Sequence, residues 1–148
     1  MFDVKARRRV VIGRNIALTS GALYAFTRFL YYATANPASL SPAQNIITAD
    51  GKVLGAWAAV WLIACILCIA DMINRHTRYG LSMVVALAFG WGIGYLFIWV
   101  CTGFTDFSLI SSAVSWLTPA GLVFGFLIKV TALQDMIRAQ SPGGENDG

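Results

Sequence analysis

The amino-acid sequence predicts an all-α polytopic membrane protein, a four-transmembrane-helix bundle with both termini cytoplasmic. Three observations predict it. Of 148 residues, 57% are hydrophobic and only 12% charged, with a mean hydropathy of +0.66, whereas a soluble domain carries about 25% charged residues. The apolar residues are gathered into four runs of membrane-spanning length. Nine of the eleven basic residues flank those runs on one side.

The runs cover about residues 15–35, 53–73, 79–101 and 107–128. At about 1.5 Å per residue each crosses a hydrocarbon core of ~30 Å. Helices are expected because backbone groups in lipid must be satisfied internally. The alternating segments of about ten residues that a barrel would need are missing. Residues 1–14 form a basic N-terminus, 15–133 the transmembrane domain and 134–148 a flexible tail, which leaves no separate soluble domain. The connection from Asn36 to Lys52 reads as a polar loop punctuated by Pro37 and Pro42, residues 74–78 ("NRHTR") as a tight basic turn, and residues 102–106 ("TGFTD") as a short turn without basic residues. The tail "SPGGENDG" is Gly-rich and acidic, a composition that favours disorder.

Nine of eleven Lys and Arg fall in the N-terminus (Lys5, Arg7, Arg8, Arg9, Arg14), the second connection (Arg75, Arg78) and the C-terminal segment (Lys129, Arg138). Cytoplasmic segments carry the excess of basic residues, so all three are assigned inside. "MFDVKARRR" and the Ala33–Ala35 "ATA" also resemble a signal-peptide start and cleavage site. Against cleavage stand the length of the apolar run and Arg28 close to that site. The net charge of +4 does not mark a nucleic-acid binder, because no element carries a basic stripe with interleaved aromatics.

Few residues offer chemistry. Cys65 and Cys68 form a C-x-x-C, the spacing of a redox pair, but lie about 18 and 22 Å below the outer end of the second span. Cys101 lies at the outer end of the third, too far for direct exchange. A thiol in hydrocarbon is a poor thiolate, so the pair is read as small packing residues, and a membrane thiol–quinone oxidoreductase is the least favoured function. His76 stands alone in the basic turn, and no nucleophile–base–orienter set is visible. No catalytic residue, cofactor or metal site is expected. Asp71 and Lys129 at inner span ends are candidates for an ion pair.

Small residues recur at helical spacing: Ala17, Gly21 and Ala25; Gly55 and Ala59; Ala86, Gly90 and Gly94; Gly121 and Gly125. Such stripes let helix backbones approach within a chain or between chains. Trp and Tyr concentrate in the outer half, where an interfacial belt is expected. Trp61 and Tyr95 are too deep for a belt, and Trp91, Tyr95 and Trp99 share one helix face, which predicts a packed aromatic cluster. Arg28 lies about 5–9 Å below the outer end of its span. It either snorkels to headgroups or turns inward onto Tyr95, Trp61 and Trp99, with Asp50 or Asp106 capping its remaining donors.

Gly21-x-x-Tyr24, Trp57-x-x-x-Trp61 and Trp91-x-x-x-Tyr95-x-x-x-Trp99, with a Pro-containing outer connection, together resemble small four-span membrane proteins of actinobacterial phages. The resemblance implies a self-associating, non-enzymatic protein of a bacterial cytoplasmic (inner) membrane, with a holin-type role in lysis as one reading. The chain departs from commoner holin patterns in its four spans and acidic tail. The expected partners are the bilayer and a second copy or another membrane protein. An accessory or superinfection-exclusion protein is the alternative role.

Overall fold

The computed structural model describes residues 4–74 and 79–139. The basic turn at 75–78 with His76, and residues 140–148 of the 134–148 tail, lie outside the described residues. Four long helices carry the fold: α1 (Val4–Thr34), α3 (Leu54–Ile73), α4 (Tyr79–Cys101) and α5 (Phe107–Ala139). The connection expected to be a plain loop holds a 3₁₀ turn (Pro37–Ser39) and a short helix, α2 (Pro42–Ile47). The Ser41 hydroxyl accepts the Gln44 N–H at 3.3 Å and the Gln44 side chain accepts the Ser41 N–H at 3.1 Å. This reciprocal cap, with Pro42 pre-set for the first helical position, nucleates α2.

Among the described residues three helices are long and apolar enough to cross a membrane: α3, α4 and the Phe107–Phe126 part of α5. α1 is long enough but falls short in composition, its apolar run being diluted by Arg28, Thr19, Ser20 and Thr27. The burial pattern is that of a membrane-type bundle. On α3 the buried residues are Leu54, Ala58, Trp61, Ala64, Cys65, Cys68 and Asp71, a stripe at steps of three and four, which is one helix face. The opposite face exposes Ile63, Ile66, Ile69 and Ile73. α4 repeats the arrangement, with Val84, Ala88, Trp91 and Tyr95 inward and Ile93, Phe97 and Val100 outward. Large apolar side chains lining the outer surface of long helices are the expected solution when the solvent is lipid.

α1 lies mainly on α3, and α5 mainly on α4; α3 against α4 joins the two pairs, and α1 touches α4 along a narrower seam. The close approaches occur at particular glycines. A Cβ on Gly80 would sit 2.4 Å from the Cys68 backbone nitrogen, and one on Gly92 would sit 2.5 Å from Leu117 Cγ. Gly21 faces Leu81 and Cys68, with 3.1 and 3.4 Å available to a Cβ, and Gly94 faces Ile47 of α2 at 3.3 Å. At Gly90, Gly121 and Gly125 a Cβ would meet nothing within 4 Å. Among the helical glycines described, the tightest approaches are therefore at Gly80, to the backbone of α3, and at Gly92, to the Leu117 side chain.

Between α2 and α3, Ala49, Asp50 and Gly51 all have positive φ. Thr48, fully buried, holds this left-handed turn: its hydroxyl donates to the Gln44 carbonyl at 2.7 Å and accepts the Gly51 N–H at 3.3 Å. Only glycine suits position 51, where φ is +82° and a Cβ would lie 2.8 Å from Pro37. Between α4 and α5, the Asp106 carboxylate caps α5 by accepting the Ser108 N–H at 2.9 Å. The Ser108 hydroxyl and N–H hold that carboxyl below its usual range.

Candidate functional site

The four long helices meet in an aromatic core in the half of the bundle nearer α2. Trp91 of α4 is its hub. Trp91 stacks on Tyr32 of α1 at 5.4 Å and on Trp116 of α5 at 5.6 Å, and it meets Trp57 of α3 at 5.0 Å and Tyr95 at 6.1 Å. A second tier closes around Trp116, with Trp61 at 6.1 Å and Tyr24 at 6.2 Å; Tyr24 also meets Trp61 edge-on at 5.8 Å. Offset and edge contacts at these separations add about 0.5–1.5 kcal/mol per pair beyond area burial. The Trp61 and Trp91 indole nitrogens and the Tyr32 hydroxyl are buried there without an acceptor among the described residues.

Arg28 enters this core from α1. Its guanidinium lies 4.2 Å from the centroid of Trp116 and 5.1 Å from that of Tyr24. Of the two alternatives for Arg28, snorkelling or inward stacking, the inward one is found, but on rings other than the three candidates. Tyr24 is one helical turn earlier on the same face of α1, so the i, i+4 relation brings the pair together. Trp61 is its neighbour only through those two rings. Trp99 is partly buried against the wider apolar core, but its ring contact is with Phe104, edge-on at 4.6 Å, and not with this aromatic cluster. Neither Asp50 nor Asp106 caps the guanidinium: among the described residues Arg28 forms no hydrogen bond or ion pair. The recruitment of Trp116 was readable in one respect, since Leu109, Ala113, Trp116 and Ala120 repeat at steps of four and three and all four are buried.

α2 rests on the edge of this core. The Tyr31 hydroxyl donates to the Gln44 side chain at 3.3 Å, and Ser41 and Gln44 lie beside the Tyr95 hydroxyl. The capped helix is therefore anchored to α1 and α4 by the same residue that caps it.

At the opposite end the chemistry is different. Asp71 is 2% exposed and its carboxylate accepts the Gly80 N–H at 2.7 Å, capping the start of α4. Arg14 of α1 donates to the main-chain carbonyls of Asp71 and, at 3.1 Å, Asn74. A cation is thus seated on the carbonyl end of α3, where the helix dipole favours it. Lys129 is exposed on α5 and does not pair with Asp71. Cys65 and Cys68 are buried, and Cys68 lies where Gly21, Gly80 and Leu81 converge. Both thiols fill space at helix contacts. Cys101 is exposed at the end of α4. Among the described residues no group of three or more His, Cys, Asp or Glu is placed to hold a metal ion.

Fold and site define a small, all-helical, multi-pass membrane protein with tightly packed helices. No protein-family model matches the chain, and no curated protein or solved structure is similar to it.

Proposed function

We propose a non-enzymatic protein of the bacterial cytoplasmic membrane, four-span with both termini inside, that self-associates and acts in a holin-like way, as in phage or prophage lysis. The carrying observation is the set of open glycines. At Gly90 on α4 and Gly121 and Gly125 on α5 no atom of the described residues lies within 4 Å of where a Cβ would stand, and in lipid such bare backbone favours close contact with another helix. α1 is read as the fourth span because it is packed on α3 and α4 and its Arg28 is covered by rings. The segregation of basic residues supports the orientation. The phage affiliation rests on the aromatic and glycine spacing.

Timed induction in a bacterial host, with potassium efflux and cross-linking followed together, tests the reading. Cross-linked oligomers that accumulate before an abrupt efflux are expected, with Gly121→Leu/Gly125→Leu delaying both. Continued growth without efflux rejects the lysis role, and an unaltered cross-linking pattern in the double variant rejects these glycines as the contact. α2 favours a second reading, an accessory or exclusion protein that binds another membrane protein: it is an ordered, capped helix that exposes Ile46. On that reading cross-links form to a host protein and α2 substitutions abolish them without efflux at any stage.

A further inference from the structure

α1 and α5 touch at two levels and part between them. At one level Tyr24 meets Trp116. At the other, the ring of Phe126 reaches α1 at Gly13, 3.9 Å from where a Cβ would stand. Between these contacts lies a half-open cleft of about 280 Å³, floored by Leu81, Val84 and Ala88 of α4 and flanked by Ala17 and Ser20 of α1 and Pro119 of α5. An apolar cavity of about 150 Å³ already accommodates benzene, so this one has room for a length of alkyl chain. Its lining is almost wholly apolar. Arg28 stands over the rings at the Tyr24–Trp116 end, one turn beyond the cleft. Its guanidinium carbon lies over both rings, while its N–H donors have no acceptor among the described residues.

We infer that the cleft is a phospholipid site, with one acyl chain lying between α1 and α5 and the phosphate on Arg28. Two features select this occupant over a helix of another protein. The opening is lateral and flanked by the outer apolar faces of two long helices, so what meets it in a membrane is an acyl chain. The charge at its end is a planar fork that matches phosphate oxygens in two-point contact. Its N–H donors, which have no acceptor among the described residues, are available for that contact. The inference rests on α1 lying in the bilayer, but not on self-association or lysis.

The test uses the full chain in neutral-detergent micelles, with retained lipid read by native mass spectrometry. Dioleoyl phosphatidylglycerol, dioleoylglycerol and glycerol phosphate are titrated separately. The phospholipid is expected to bind at least about tenfold more tightly than dioleoylglycerol, the difference being the charge-assisted phosphate contact. Glycerol phosphate should show no retained adduct. Arg28→Gln should bring the phospholipid down to the level of dioleoylglycerol. Ser20→Leu, which fills the cleft from its rim, should weaken both lipids. Ala17→Leu repeats that test if Ser20→Leu fails to fold. Equal binding of the two lipids to the unaltered protein overturns the phosphate contact. Undiminished binding in both filled variants overturns the cleft, and tight binding of glycerol phosphate overturns a lipid source. A protein that retains phospholipid as expected yet neither cross-links nor releases potassium keeps this site and loses the proposed function.

Discussion

In the half of the bundle nearer α2, helices α1, α3, α4 and α5 are joined through stacked rings, whereas where α3 passes toward α4 the backbones of α3 and α4 meet with almost no side chain between them. Each half also receives one arginine from α1. Arg28 spends its charge on π faces, and Arg14 on the carbonyl end of α3. The difference shows that lipid-exposed helices can be held by size or by the lack of it. Between helices in lipid, apolar transfer supplies little drive, so contact area and polar pairing decide. Rings fill a wide gap with many contacts; glycine removes the gap.

The comparison is broken most directly at its hub. Trp91→Ala removes the ring that joins Tyr32, Trp57, Tyr95 and Trp116. The Trp→Ala range is about 3–5 kcal/mol, and the low end is expected because lipid cancels part of the transfer term while the lost packing remains. Reversible unfolding in mixed micelles should register a loss of about 3 kcal/mol. A loss under about 1 kcal/mol, below the range for burying a large side chain, would mean that the rings sit together without holding the helices.

The glycine half is tested by a matched pair. Gly80→Ala places a methyl 2.4 Å from the Cys68 nitrogen, and backbone cannot swing aside. Overpacking of this kind costs about 1–3 kcal/mol. Gly90→Ala adds the same methyl in open space and should be neutral or gain up to about 1 kcal/mol from helix propensity. Equal effects of the two substitutions would show that close approach at Gly80 contributes nothing.

These contrasts also mark how far the sequence could be read. Length and hydropathy place the helices well: Tyr79–Cys101 is found as expected, and α3 begins at Leu54. Both signals are one-dimensional and survive any rotation of a helix about its axis. The partners of Arg28 depend on that rotation, so Trp116 replaces Trp99 although both are plausible by depth. Gly80 was overlooked because it belongs to no small-residue stripe; its role comes from the proximity of one helix start to a neighbouring backbone. α2 was legible in principle, since Ser41-Pro42-x-Gln44 carries a cap and a proline at the first helical position, but two prolines in a polar stretch also read as loop punctuation.

Arg28 sharpens the comparison at smaller scale. A guanidinium over rings contributes about 0.5–2 kcal/mol. Arg28→Leu, although easier to insert, should therefore lower the midpoint of thermal unfolding in detergent, and Arg28→Lys should recover only part because an ammonium cannot lie as a plane on Trp116. Full recovery by lysine would reduce the interaction to charge alone.

Arg14 should give the smallest effect, and the most local. α3 ends at Ile73 with Asn74 as its C-cap, and the last carbonyls of a helix have no partner within it. Arg14 supplies donors to two of them, at Asp71 and Asn74, from a different helix. It therefore both caps α3 and ties α1 to it, at the end where no ring does so. A cation at a helix C-terminus contributes about 0.3–1 kcal/mol when exposed and up to ~2 kcal/mol when partly buried; Arg14 is half-buried, and about 1 kcal/mol is expected. Arg14→Gln keeps donors and loses charge, whereas Arg14→Lys keeps charge and loses the two-point reach. If geometry dominates, Gln retains more stability than Lys; if the dipole dominates, the order reverses and the gap narrows with added salt. Amide hydrogen exchange over residues 70–74 is the direct readout, because fraying of the last turn of α3 precedes any loss of the bundle. Unchanged exchange there in both variants would leave α3 capped by other groups and Arg14 without a structural part at this end.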